Sequence, residues 1–246
     1  MEHKLPKLIR RKDIKGDLQM HTKYSDGANS VEDMIKAAIS LGHKYVAITD
    51  HAGFLKIAGA MSERQIKKQW KEIDKLNEKY ASKIKILKGA EVDIKLNGDL
   101  SLPNKILKKF DIVLASVHSG FKRDNTKRVL KALNNQYVNI LAHPTGRIIN
   151  QREGYNLDLE KIIETARKNR KILEINAFPN RLDLNDINAR KAKESGVLLS
   201  IGSDSHEKEH LNFIDFGVFV ARRAWCEKKN IINTFNYKKL LKVLEK

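Results

Sequence analysis

A single cysteine, Cys226, occurs in 246 residues. This excludes an intramolecular disulfide and a thiolate metal cage, and it fits a reducing compartment, so the expected location is the cytoplasm. No stretch approaches the roughly 20 consecutive apolar residues of a membrane span, and Met1 to Lys7 lack the apolar run of a secretory signal. Four prolines and thirteen glycines exclude collagen-like and linker-dominated chains. The Rossmann glycine fingerprint and the phosphate-binding P-loop pattern are both missing. Acid is scarce beside base: 30 Asp and Glu stand against 48 Lys and Arg, a formal charge of +18. Such a surplus points to an acidic partner, most commonly nucleic acid. Lysines spread along the chain, as they are here, also serve solubility. With 41% hydrophobic and 32% charged residues the chain reads as globular, and it is long enough to bury a sizeable core.

What is present is an alternation of short apolar runs and amphipathic stretches, with no internal repeat. The runs span 16–20, 44–50, 84–92, 111–117, 138–142, 171–175 and 197–201. Most are rich in Val and Ile and short enough for buried parallel strands. Between them lie helix signals. Ser30 precedes an apolar-periodic stretch that stops at Gly42, and Ser62 opens a helix running to Tyr80. Residues 157–169 and 184–195 have the same character, and Gly196 closes the second. This pattern predicts an α/β fold, a parallel sheet of seven strands with helices outside it. Two buried faces favour a closed or nearly closed barrel, although an open doubly wound sheet satisfies the same periodicity.

Five of the eight histidines share one placement: His21, His51, His118, His143 and His206 each follow an expected strand. Asp26, Glu91 and Asp204 sit at or near the same ends, and Asp50 adjoins His51. In an α/β barrel these ends converge on one mouth. Imidazoles and carboxylates without thiolates suit Zn, Mn or Fe. A lone histidine at a strand end is more often a hydrogen-bonded structural residue than a ligand; five in one placement predict a metal site. His3, His43 and His210 lack that placement and are expected at the surface. Asp17, Asp93 and Asp111 are expected to be structural or to support the ligands, and Cys226 to be a packed or surface thiol on a late helix.

Six blocks resemble the PHP (polymerase and histidinol phosphatase) family: Asp17–Gly27, Ala47–His51, Gly89–Asp93, Ala115–Ser119, Ala142–Gly146 and Gly202–His206. Further stretches, among them 116–121, 143–147, 152–155, 174–183 and 217–225, are similar to the C-terminal PHP domain of bacterial and archaeal family X DNA polymerases. The resemblance implies a distorted (β/α)7 TIM-like barrel over residues 13–246, a single phosphoesterase domain behind an N-terminal extension at 1–12. The chain is either a free-standing relative or an excised domain, and a family X polymerase acting in trans stays open. The resemblance also implies two or three divalent metal ions held by His21, Asp26, His51, Glu91, His118, His143, Asp204 and His206, with Glu91 bridging. The family usually carries His-x-His after the first strand. Here Gln19 replaces the first histidine, and its neutral amide is a poor ligand, so the metal there is expected to be weak, completed by water or absent.

Clustered divalent cations suit phosphoester hydrolysis by activated water. Glu91, His118, Asp204 and His206 form the expected catalytic set. Arg147 and Arg181 are the candidates for gripping phosphate, and Asn176 for orienting water or substrate, with Glu174 in support. The expected substrate is a DNA 3′ end, cut as a 3′–5′ exonuclease or 3′-phosphatase. The alternatives are a small-molecule phosphatase of the histidinol-phosphate type and a degenerate barrel that binds DNA without cutting it.

Overall fold

The structure is a computed structural model and describes residues 6–53 and 59–245. Its strands are β1 (Gly16–Asp17), β2 (Tyr45–Ile48), β3 (His51–Ala52), β4 (Lys85–Asp93), β5 (Ile112–Ser116), β6 (Ile140–Leu141), β7 (Ile172–Asn176) and β8 (Leu199–Gly202). The helices are α1 (Val31–Ser40), α2 (Glu63–Lys79), α3 (Asn104–Leu107), α4 (Thr126–Leu133), α5 (Leu159–Lys168), α6 (Asp186–Glu194), α7 (Ile214–Arg223) and α8 (Tyr237–Leu244). Ser30 and Ser62 cap α1 and α2 by accepting from the backbone N–H three residues on, as their sequence signals predict. Gly42 and Gly196 follow α1 and α6 with positive φ, the conformation that ends a helix most cheaply at glycine. None of the helices among the described residues is long and apolar enough to cross a membrane.

All strand pairs are parallel, in the order β1-β2-β4-β5-β6-β7-β8. The run at 44–50 does not end where expected. It resumes as β3, which pairs with β4 further along, His51 opposite Glu91. The backbone N–H of Glu91 lies within reach of both the Thr49 and Asp50 carbonyls, at 3.1 and 3.2 Å, so the ladder steps across a local irregularity. His51 therefore lies in a strand of its own and directly beside Glu91.

Polar groups close the sheet into a barrel. Near the rim Met20 bridges Ser205, His21 N–H donates to the Ser205 carbonyl at 2.7 Å, and Asp204 N–H donates to the Gln19 carbonyl at 3.1 Å. Lower down, Asn233 spans the gap between β1 and β8. Its amide donates to the carbonyls of Gly16 (2.9 Å) and Ile201 (2.8 Å), and its oxygen accepts from Ile201 N–H at 2.8 Å.

Side chains two apart share a strand face. Tyr45 and Ala47, Ile112 and Leu114, and Ile140 and Ala142 meet in one cluster with Ile232, Phe235, Leu240 and Leu244. The barrel is thus filled by its own strands and plugged from the segment around α8. Alternate residues such as Val46, Ile48 and Ile86 pack outward with α1 and α2, while Val113, Ala115 and Ile175 pack with the later helices.

Two sequence expectations need correction. Cys226 is fully buried, but it sits in the turn after α7, where its carbonyl accepts from Ile9 N–H at 2.9 Å. Burial pushes its thiol up to about 12. His43 is buried rather than at the surface, and neither ring nitrogen has a hydrogen-bond partner. Its place just after α1 turns it inward, which sequence spacing does not reveal. His210 is half-buried, and His3 lies outside the described residues.

Burial, with Arg11 adding to it, lowers the His43 imidazole to about 4. An unfolded histidine titrates near ~6.5. Between those values the unfolded chain binds a proton that the folded chain does not, so His43 costs stability as pH falls through that window. Urea midpoints at neutral and at acid pH should show the wild type losing about 3 kcal/mol more than His43→Leu on acidification.

Candidate metal centre

The inward strand faces change character toward the rim. In β4 the series Leu87, Gly89, Glu91 turns polar, and in β7 it runs Ile172, Glu174, Asn176. From β5 the same period reaches Ser116 and then His118 just beyond the strand. His143 follows β6, and Asp204 follows β8. Both have positive φ, 29° and 54°, a backbone region that non-glycine residues enter rarely and mainly at functional sites.

Glu91 is the hub. Its Oε1 lies 3.1 Å from His143 Nε2 and 3.2 Å from His118 Nε2, and its Oε2 lies 3.3 Å from His21 Nε2. His21 Nε2 also meets Asp204 Oδ1 at 3.1 Å. Asp26 joins the other side, with Oδ2 3.6 Å from His51 Nε2 and 3.5 Å from His206 Nε2. Ring centroids of His21 lie 4.6 Å from those of His51 and 4.4 Å from those of His206; His118 lies 5.2 Å from His51 and 5.3 Å from His143. All eight residues expected as ligands therefore meet in one cluster, with His21 buried beneath the pocket that the other seven line.

Their charge states are coupled. Burial opposes ionisation of Glu91, but His51, His118, His143 and His21 outweigh it and hold its carboxyl well below the usual range. Burial opposes charge on His21 too, yet Asp204 and Glu91 raise it well above a normal histidine. His118 is lifted to about 9 by Asp93 and Glu91 against the same opposition. Against burial, His206, His21 and His51 hold Asp26 at about 2. His51 goes the other way, lowered to about 4 chiefly by burial. Cations placed among these groups would compete with protons for the same lone pairs.

A second layer fixes the first. Asp50 accepts from Thr22 N–H and Oγ1 at 2.7 Å each, and from Ser25 Oγ and Gln69 Nε2 at 2.6 Å each. It ties down the loop that carries Asp26. Glu174, pushed well above the usual carboxylate range by burial and by Asp204, accepts from His143 N–H at 2.8 Å. Gly202 makes room for it: a β-carbon there would come within 2.2 Å of Glu174 Oε1. Asp93 stands 3.5 Å behind His118 Nδ1, which leaves Nε2 toward Glu91. Asp17 is buried and accepts from the N–H groups of Gln19 and Ser203, at 3.2 Å each. Asp111 accepts from Lys88 N–H at 2.8 Å.

Gln19 reaches the hub, as its spacing predicts, but in a different role from a ligand's. Its Nε2 donates to Glu91 Oε2 at 2.9 Å, and its Oε1 accepts from Asn176 Nδ2 at 3.2 Å. Exchanging the two amide atoms would set two oxygens against each other. Asn176 is fully buried, with Nδ2 also 3.1 Å from Asp204 Oδ2 and Oδ1 accepting from Phe178 N–H, so it lies beneath the ligands and out of reach of substrate. Arg147 likewise departs from expectation. Its Nε donates to the Arg181 carbonyl at 2.8 Å and its Nη2 to the Leu182 carbonyl, which makes it a brace for the loop after β7. Arg181, carried by that loop, does border the cluster, with Nε 3.5 Å from Asp204 Oδ2. The sequence reading missed Phe121, Arg152 and Phe178, which line the space above the ligands. For the two phenylalanines the available signal was an aromatic residue shortly past an expected strand.

The donor set suits divalent cations. Ligand atoms of His21, Asp26, His51 and His206 lie within 4.8 Å of one another, as do those of His51, Glu91 and His118, and of His21, Glu91 and Asp204. The Nδ1 atoms of His21 and His143 are buried without a hydrogen-bond partner, an arrangement that electrostatics alone does not reward. Thiolates are absent from all three groups, in keeping with Zn, Mn or Fe bound by nitrogen and oxygen.

Comparison with known proteins agrees with this geometry. A family model described as the PHP domain matches residues 17–178. The DNA polymerase/3′-5′ exonuclease PolX of Bacillus subtilis (strain 168) is 45% identical over 234 residues, covering 94% of this chain; the chain spans 41% of that relative's length. A probable phosphatase of Thermoanaerobacter sp. (strain X514) is 33% identical over 234 residues, 89% of each chain. Among solved structures, histidinol phosphate phosphatase from Lactococcus lactis subsp. lactis Il1403, complexed with zinc, L-histidinol and phosphate, aligns with a TM-score of 0.68 at 22% identity. That alignment covers 85% of this chain and 93% of that one, and it shows the same barrel fold.

Removing the Arg147 fork should loosen the loop that carries Arg181. Arg147→Met is expected to lose about 1.5–3 kcal/mol and to speed amide hydrogen exchange at 178–184 while leaving β4 and β5 protected. Unchanged exchange in that loop would show that the brace is dispensable.

Proposed function

Because the chain belongs to the PHP family and is accordingly a metal-dependent phosphoesterase, we propose that it acts on DNA 3′ ends, as a 3′–5′ exonuclease or 3′-phosphatase. The observation that carries the chemistry is the clustering of eight imidazole and carboxylate side chains, Glu91 at their centre, beside Arg181. The DNA assignment is supported by the 45% identity to a relative named as a 3′-5′ exonuclease and by the +18 charge. The 33% relative named as a probable phosphatase favours a second reading, hydrolysis of small phosphomonoesters.

In this reading three overlapping sets would hold the cations: His21, Asp26, His51 and His206; His51, Glu91 and His118, with His143 beside them; and His21, Glu91 and Asp204. When bound, the ions offset phosphate charge and make hydroxide available near neutral pH. The protein's own groups do the rest. Glu91 is shared between sets, and the Gln19 amide fixes the direction of its Oε2. Asp93 holds His118, and Glu174 holds the His143 backbone. Arg181 offers a planar fork to the phosphate oxygens. Asp204 sits at the junction of Arg181 and the ligands, which couples phosphate binding to the centre.

Glu91→Gln and His118→Ala are each expected to lower phosphoester turnover by at least ~10³-fold, because each removes a group shared by the charge-stabilising cluster. Both side chains are polar groups of the rim, so thermal unfolding should still be cooperative. Retained turnover in either variant would overturn the site. The substrate is decided by assaying 3′-labelled single-stranded DNA against histidinol phosphate, each with added Mn and with chelator. Faster chelator-sensitive release from DNA is the expected result; faster release from histidinol phosphate would favour the second reading, and binding without hydrolysis of either would make the protein a non-catalytic DNA binder.

A further inference from the structure

Two cavities meet at the ligand cluster. One, of 290 Å³, extends over Glu91, His118 and His143 to Phe121 and Arg152. The other, of 270 Å³, leads from Asp204 and His206 out to Phe178 and Asn180. Ile148, Arg181, Asp204 and His206 border both. The candidate phosphate-binding arginine thus stands between two separate spaces, each with an aromatic ring in its wall.

The two rings have different surroundings. Phe121 is covered by Arg152, whose guanidinium carbon lies 3.8 Å from the ring centroid and whose Nη2 is anchored on the Gly146 carbonyl at 2.7 Å. That space ends in a fixed wall. Phe178 belongs to a run of rings instead. It lies 6.4 Å from His206, 5.3 Å from His210 and 5.3 Å from Phe213, and Phe213 leads on to Phe216 at 6.1 Å. Phe216 is 41% exposed, so the run continues from the ligand cluster onto the open surface.

A phosphomonoester carries one organic substituent and a phosphodiester two. We propose that the two cavities receive the nucleosides on either side of a scissile phosphodiester. The terminal nucleotide occupies the walled space by Phe121 and Arg152. The preceding nucleotide stacks at Phe178, and the rest of the strand follows the rings toward Phe216. Aromatic side chains hold single-stranded bases of any sequence, because every base has a π-face. In the reaction a water oxygen bonds to phosphorus as the P–O3′ bond breaks, and the 3′ oxygen leaves with a proton. The products are a strand ending in a 3′-hydroxyl and a nucleoside 5′-monophosphate. This assignment rests on the DNA reading above and adds that the diester is the preferred substrate, with Phe178 as its specificity residue.

The test measures kcat/KM for p-nitrophenyl phosphate and for 5′-labelled oligothymidylates of increasing length, with Mn-loaded wild type, Phe178→Ala, Phe178→Tyr and Phe216→Ala. The oligonucleotide-to-monoester ratio should fall about tenfold in Phe178→Ala, the size expected when one base loses its aromatic partner. It should recover in Phe178→Tyr, and in Phe216→Ala it should fall only for the longer strands. Fluorescence anisotropy with a labelled oligothymidylate in chelator should show binding weakened by a similar factor in Phe178→Ala. Equal losses on both substrate classes would make Phe178 a prop for the ligands and overturn the proposal. So would an unchanged ratio in an enzyme that degrades oligonucleotides, and in that case the DNA reading survives. A wild type that hydrolyses the monoester but no oligonucleotide overturns both.

Discussion

A carboxylate buried at the head of a barrel is the constraint around which the molecule is arranged. Glu91 is about 2% exposed, and an isolated charge in such a place would be expensive. Three imidazoles and the Gln19 amide lie within 3.3 Å of its two oxygens. They come from three separate regions of the chain, at residues 19–21, 118 and 143, so the charge of Glu91 is tolerable only when the rim has assembled. Divalent cations among the same donors would extend this compensation. Cation binding at this centre would therefore be linked to folding through one side chain.

The layers beneath explain how the rim holds its shape. Asp50, Glu174, Asp93 and Asn176 touch the ligand residues or their loops and fix them through backbone and side-chain hydrogen bonds. Where the barrel's first and last strands do not pair fully, Asn233 supplies both donor and acceptor from a single buried amide. The positive φ values at His143 and Asp204 fall where the strands must turn their ligands sharply inward. Strain of this kind persists when the surroundings over-determine the conformation, and here the Glu174 contact to His143 N–H and the Gln19 contact to Asp204 N–H do so.

In the proposed reading, chemistry and selectivity are separated in space. The ligands line the floor, and Arg181 stands at the boundary of the two cavities above it. The walls that would distinguish one phosphoester from another come from Phe121, Arg152 and Phe178, on the loops after β5, β6 and β7. A PHP barrel can in this way keep one hydrolytic centre and change its substrate by changing those loops.

The positions of most strands along the chain, the capped helices α1 and α2, and the rim placement of His21, His51, His118, His143 and His206 were legible in the sequence. Each follows from a local rule: side-chain period, a capping serine, or a histidine just past an apolar run. The four-residue α3 and the division of one run into β2 and β3 were not, because two to four residues carry too little periodicity to mark an element. The inward turn of His43, the commitment of Arg147 to two backbone carbonyls and the use of both ends of the Gln19 amide were likewise decided only by tertiary structure. An arginine's partners and an amide's orientation depend on which carbonyls and carboxylates arrive from distant segments. Residue type and spacing determined which groups could bind a cation or a phosphate; the closed barrel decided which of them meet.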